Sequence, residues 1–169
     1  MTRLPFALLA LALGPLTLPA QQTSFAVVPF ESQQSFGLDQ ESLGALGGGI
    51  AQLLASELGK SPGGTATARS TTAGAIIKGI SNEDPKMQDR DQIYLITQAV
   101  AQRILQELKL PPAPASTAVI PGAAVIAFSL GLQAEDAGNK AKATSLYERA
   151  LQSAPDFPEA KDALARVKG

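Results

Sequence analysis

Hydrophobic positions along the chain form two kinds of pattern, short continuous runs and stripes with a spacing of three or four residues. Runs at 25–30 and 73–80 are rich in β-branched and other apolar side chains, which predicts two buried strands. Stripes over 43–58 and 91–108 predict two amphipathic helices. The order strand, helix, strand, helix therefore predicts a small α/β unit over 23–110.

A sheet of two strands is too small to be stable by itself. The sequence leaves two alternatives open: further strands near 65–70, or completion of the sheet by another chain. Within the first predicted helix, the run of Gly47, Gly48 and Gly49 weakens the helix by about 1 kcal/mol per glycine relative to alanine. Close packing of this helix on the sheet explains the run better than a phosphate site, because no P-loop Lys-Ser/Thr follows it.

The second half of the chain is predicted to be helical. A Pro/Ala-rich segment at 111–121 is typical of a semi-rigid, extended linker. Beyond it, 122–169 predicts an all-α hairpin followed by a short third helix. In that third helix, Ala160 is expected to face inward and Glu159 to face water.

The spacing from residue 124 onward resembles one tetratricopeptide (TPR) repeat of about 34 residues. The positions that carry this resemblance are Leu130, Gly131, Gly138, Ala143, Tyr147, Ala150 and Pro155. The resemblance implies two antiparallel helices that approach closely at their small residues. The third helix then resembles a terminal capping helix.

In TPR proteins the first helix of a repeat lines a concave groove. The resemblance assigns that place to Val125, Phe128, Leu132, Glu135 and Asp136. A single repeat cannot bury both of its faces, so the apolar members of this set need a cover. The cover is either the α/β unit, a second copy of the chain, or a peptide of a partner protein.

Residues 25–30, the polar stretch after them and residues 43–58 resemble the start of the curli-secretion (CsgG-type) family. They are also similar to the periplasmic domain at the N-terminus of TolB. This resemblance implies an α/β domain of the bacterial envelope that serves assembly and protein contact rather than catalysis. CsgG-type proteins are typically lipoproteins with more strands between the two helices, whereas this chain has no cysteine, so pore formation is not implied.

The N-terminus has the pattern of a secretory signal peptide over 1–20. Arg3 precedes a short apolar run at 4–13, a Gly-Pro pair breaks the run, and Ala20 supplies a small residue for cleavage. The alternative is an uncleaved membrane anchor, which the two prolines and the glycine of the segment disfavour. The mature protein is therefore expected to be periplasmic or secreted, with no membrane span.

Charge and composition narrow the function further. Fourteen Lys and Arg against 15 Asp and Glu give a formal net charge of -1, which provides no footprint for nucleic acid. The chain has no Cys and no His, so Cys/His metal sites, thiol nucleophiles and His-dependent triads are excluded. No cofactor is expected. An enzyme would need a Ser–Lys pair, such as the adjacent Lys60 and Ser61, or paired carboxylates.

These patterns together predict an exported, non-enzymatic interaction or scaffold protein of the bacterial cell envelope, acting in secretion or envelope assembly. Its expected partners are other envelope proteins or a second copy of itself. Two alternatives stay open. One is an exported hydrolase with an active site that lacks histidine, and the other is a shortened relative whose first segment folds poorly.

Overall fold

The structure is a computed structural model that describes residues 23–29, 37–62, 64–68, 90–114 and 116–169. The predicted signal peptide at 1–20 and the predicted strand at 73–80 lie outside these ranges. The elements in chain order are β1 (Thr23–Val27), α1 (Gln40–Gly59), β2 (Gly64–Ala68), α2 (Ile93–Glu107), α3 (Gly122–Asp136), α4 (Lys140–Ser153) and α5 (Pro158–Lys168).

Most of the described chain is helical, and the predicted helical hairpin with a third helix is confirmed as α3, α4 and α5. β1 and β2 pair in parallel, with Thr23 opposite Gly64 and Val27 opposite Ala68. After Gly64, β2 consists of alternating Thr and Ala, in the region near 65–70 where a further strand is one of the two alternatives. One pair of strands does not establish the predicted α/β unit.

Helix α1 begins earlier than its apolar stripe indicates. The Asp39 carboxylate accepts a hydrogen bond from the Ser42 backbone N–H at 2.8 Å, which satisfies one of the free N–H groups of the first turn. Asp39 is therefore the N-cap, and the helix starts at Gln40 rather than at Leu43.

Helices α1 and α3 pack in direct contact at one pair of small residues. A Cβ atom at Gly49 would overlap the Ser129 side chain and lie 3.1 Å from the Ser129 Cα. Gly49 thus permits an approach that no larger residue allows. A Cβ atom at Gly48, by contrast, would meet nothing within 4 Å.

Residues from both predicted units share one hydrophobic core. Four aromatic side chains connect α2, α3, α4 and the turn before α5. The ring centroids of Phe128 and Phe157 are 5.1 Å apart, and Tyr94 meets Phe157 edge-on at 5.9 Å. Tyr147 lies 5.9 Å from Phe128 on the other side. The same cluster includes Leu46 and Leu53 of α1, and the partly buried Ile50 packs against it. The N-terminal helices and the hairpin are therefore joined by buried apolar contacts.

The segment 111–121, for which the sequence predicts a linker, lies against the helices. Ala113 and Ile120 are buried. The Gln102 side chain donates a hydrogen bond to the Ala113 carbonyl at 2.9 Å, and the Ser61 hydroxyl donates to the Pro111 carbonyl at 2.6 Å. These contacts fix the path of the chain between α2 and α3.

Among the helices that the structure describes, none combines the length and apolar character needed to cross a membrane.

The paired glycines of α1 give the first test. Gly49→Ala should lower the free energy of unfolding by about 1–3 kcal/mol, because the new methyl group forces α1 and α3 apart. Gly48→Ala is the matched control and should raise that free energy by about 0.5–1 kcal/mol through helix propensity alone. Urea unfolding followed by circular dichroism measures both. Equal effects of the two substitutions would contradict the close contact.

Candidate functional site

The hairpin of α3 and α4 is held together where the TPR resemblance places its small residues. A Cβ atom at Gly131 would overlap the ring of Tyr147, with 3.1 Å left to the ring Cζ. Ala143 and Ala150 of α4 are buried, as is Tyr147 itself. Gly131 therefore leaves the space that the aromatic ring fills.

The turn between the two helices uses a backbone conformation that favours glycine. Gly138 has φ +74°, and the Asn139 N–H reaches back to the Ala134 carbonyl at 2.8 Å. The Asn139 side chain then accepts from the Lys142 N–H at 3.0 Å and caps α4. Helix α4 ends at Ser153, two residues before Pro155.

The sequence predicts that Val125 and Phe128 line a partner-binding groove. The structure places them in the core instead. Both side chains are buried, with exposed fractions of 0% and 1%, in the core cluster that contains Leu46 and Leu53 of α1. Helix α1 therefore covers Val125 and Phe128 but not Leu132, the third apolar residue of the predicted groove. This is the docking alternative that the sequence left open, and it makes these two side chains part of the core.

Glu135, another predicted groove residue, already has hydrogen-bond and ion-pair partners within the chain. Its carboxylate accepts hydrogen bonds from the Tyr147 hydroxyl at 2.6 Å and from two nitrogens of Arg166 at 2.7 and 2.8 Å. The Arg166 guanidinium lowers the pKa of Glu135, with the Tyr147 hydroxyl acting in the same direction against burial. Burial and the neighbouring Glu135 raise the pKa of Tyr147. This network ties α5 to α3.

The last two predicted groove residues border an open groove of about 290 Å³ between α1 and α3. Leu132 is half-buried and Asp136 is exposed. The walls include Gly44, Gly48 and Gln52 from α1, and Leu132, Gln133 and Asp136 from α3. Pro29, just after β1, lies at the edge. This groove is the candidate functional site.

Two features characterise the groove. A Cβ atom at Gly44 or Gly48 would meet nothing within 4 Å, so the α1 backbone is accessible along one wall. Within the described chain, no hydrogen bond or ion pair engages the carboxylate of Asp136. The groove thus offers helix backbone, one half-buried leucine and one unpaired negative charge.

The apolar stripe of α1 does not identify Gly44, Gly48 and Gln52 as groove residues. The sequence analysis explains the whole glycine run by close packing. In the structure, of Gly48 and Gly49 only Gly49 packs closely, and Gly48 faces the groove. The spacing of four between Gly44 and Gly48, away from the leucine stripe, was the available signal.

A buried polar cluster joins α1 to the start of α5. Glu159, predicted to face water, is only 8% exposed. It accepts hydrogen bonds from the Ser56 hydroxyl at 2.9 Å and from the Lys60 ammonium at 3.2 Å. Lys60 also pairs with the buried Glu57. Partners from a distant segment therefore allow this carboxylate to be buried.

The same cluster bears on the Ser–Lys alternative. Burial lowers the pKa of Lys60, but the hydrogen bond to Glu57 and the charge of Glu159 outweigh it and raise the pKa overall. These two carboxylates therefore favour the protonated form of Lys60, which donates to both of them. Ser61 is only 3% exposed, and its hydroxyl donates a hydrogen bond to the Pro111 carbonyl. The contacts of Lys60 and Ser61 are therefore those of structural residues.

No group of three or more acidic residues that could hold a metal ion occurs in the part of the chain that the structure describes. Comparison of the chain with known protein families, with curated proteins and with solved structures gives no match. The candidate site is therefore interpreted from its own geometry.

The network at Glu135 predicts a pH-dependent stability. Because the folded pKa of Glu135 lies below its unfolded value, its contribution is present above the unfolded pKa and is lost as the pH falls through the folded pKa. Arg166→Met should lower the free energy of unfolding by about 0.5–1 kcal/mol at pH 7, since the pair is partly exposed to solvent. The difference from wild type should shrink as the pH falls below about 4.5.

Lys168→Met is the matched control, because it removes an ion pair with Glu148 in which both side chains are about half exposed. Thermal unfolding at pH 7, 5 and 3 measures all three proteins. Identical pH profiles for the two variants would contradict the assigned role of Arg166.

Proposed function

We propose that this chain is an exported, non-enzymatic interaction or scaffold protein of the bacterial cell envelope, and that it binds another protein through the groove between α1 and α3. The observation that carries the proposal is the α1 wall of this groove. Glycines inside a helix cost about 1 kcal/mol each relative to alanine. Gly49 has a packing reason, but Gly44 and Gly48 face open space. A partner that contacts the helix backbone gives them a reason.

The organisation of the chain fits this proposal. Residues 23–110 would form a small α/β unit, and 122–169 one TPR-type hairpin with its capping helix. The parallel pairing of β1 with β2 supports the first part. The contact of Gly131 with Tyr147 and the turn at Gly138 support the second. Export rests on the signal-peptide pattern at 1–20, and a second copy of the chain is one candidate partner.

The chemistry of the described side chains supports a binding role over catalysis. Lys60 is held protonated between two carboxylates, and Ser61 is engaged with a backbone carbonyl. Neither arrangement activates a nucleophile. The packing of α1 on α3 also disfavours the shortened-relative alternative, because the first segment has a core to fold against.

Site-specific photo-crosslinking in living cells tests the proposed binding face. A benzophenone amino acid at Gln133, which lines the groove, should give discrete higher-mass adducts in the envelope fraction. The matched control carries the same benzophenone amino acid at Gln152. This exposed glutamine lies on α4, outside the groove lining. An adduct of twice the chain mass would identify a second copy as the partner.

The proposal is contradicted if Gln133 gives no adduct, or if Gln133 and Gln152 give the same adducts. Circular dichroism of the two purified variants establishes that both are folded before the adducts are compared.

A further inference from the structure

Building on the proposed function, we infer that the groove between α1 and α3 binds an extended segment of a partner protein that carries a Lys or Arg, with Asp136 receiving the positive charge. The inference names the class of partner segment, and it depends on the groove being the binding face.

The electrostatics of the α3 end of the groove favour a cation. Asp136 is exposed and unpaired within the described chain, whereas the adjacent Glu135 is neutralised by Arg166. Asp136 is also the last residue of α3, and this last turn contains no basic residue. The C-terminal end of a helix carries a partial negative charge. The carboxylate and the helix end therefore act with the same sign at one end of the groove.

The walls favour an extended main chain with small side chains. Backbone can approach α1 closely at Gly44 and Gly48, because neither has a side chain. The amides of Gln52 and Gln133 stand on opposite walls, and each offers both a donor and an acceptor to a peptide group. The volume of about 290 Å³ lies at the lower end for ligand pockets. A bulky aromatic anchor therefore fits poorly, whereas a short stretch of Gly, Ala or Ser beside a long basic side chain fits.

Two acidic side chains elsewhere on α1 and α4 do not offer this combination. Glu41, near the start of α1, pairs with Lys142 at 3.0 Å. Glu148 of α4 pairs with Lys168 at 2.8 Å. Asp136 therefore differs from them in being unpaired beside a groove.

A displayed library of random 12-residue peptides, panned on the purified protein and read by deep sequencing, tests the inference. Wild type should enrich peptides in which Lys or Arg lies beside two or more small residues. Asp136→Asn, which removes only the charge, should reduce the enrichment of basic peptides about fivefold, the effect of one partly exposed ion pair. Its enrichment of small residues should persist.

Two further variants separate the inference from the proposed function. Gly48→Leu fills the groove and should abolish selection, whereas Asp156→Asn should behave as wild type, because Asp156 is exposed in the turn before α5. Selection that Gly48→Leu abolishes but Asp136→Asn leaves unchanged would overturn the inference and leave the proposed function standing. Selection that Gly48→Leu does not change, or no selection by wild type, contradicts both.

Discussion

The contact between Gly49 of α1 and Ser129 of α3 is the constraint on which the rest of the structure depends. Two helices approach so closely there that even a methyl group at Gly49 would overlap Ser129. This approach places α1 over the apolar face of α3 and buries Val125 and Phe128. A lone helical hairpin with that face exposed would be unstable in water. The N-terminal half of the chain thus supplies the cover that a neighbouring repeat supplies in longer helical arrays.

Two polar networks also hold the packed helices in position. At one end of α1, Lys60 and Ser56 hold Glu159 of α5, and on the other side of the hairpin Arg166 and Tyr147 hold Glu135. Both networks tie α5 to the remaining helices. An open groove runs beside the α1–α3 contact, and Gly44 and Gly48 line its α1 wall.

The sequence predicted the elements better than their contacts. Helices α1, α2 and α5 lie within a few residues of their apolar stripes, because those stripes are local. Burial of Val125 was only one of several alternatives, since the residues that cover it lie about 75 positions earlier in the chain. Glu159 was assigned to water because its partner, Lys60, is also distant in sequence. A strand near 65–70 was only one of two alternatives, because the alternating Thr and Ala of β2 lack the bulky apolar residues typical of a buried strand.

The most direct measurement of this account is native-state hydrogen exchange of the wild type and of Phe128→Leu. If α1 and α3 belong to one core, their slowest amides should exchange with the same opening free energy, and the substitution should lower that free energy equally in both helices. Rapid exchange of α1 in the wild type, with α3, α4 and α5 still protected, would show that the hairpin folds without its cover and would contradict the account.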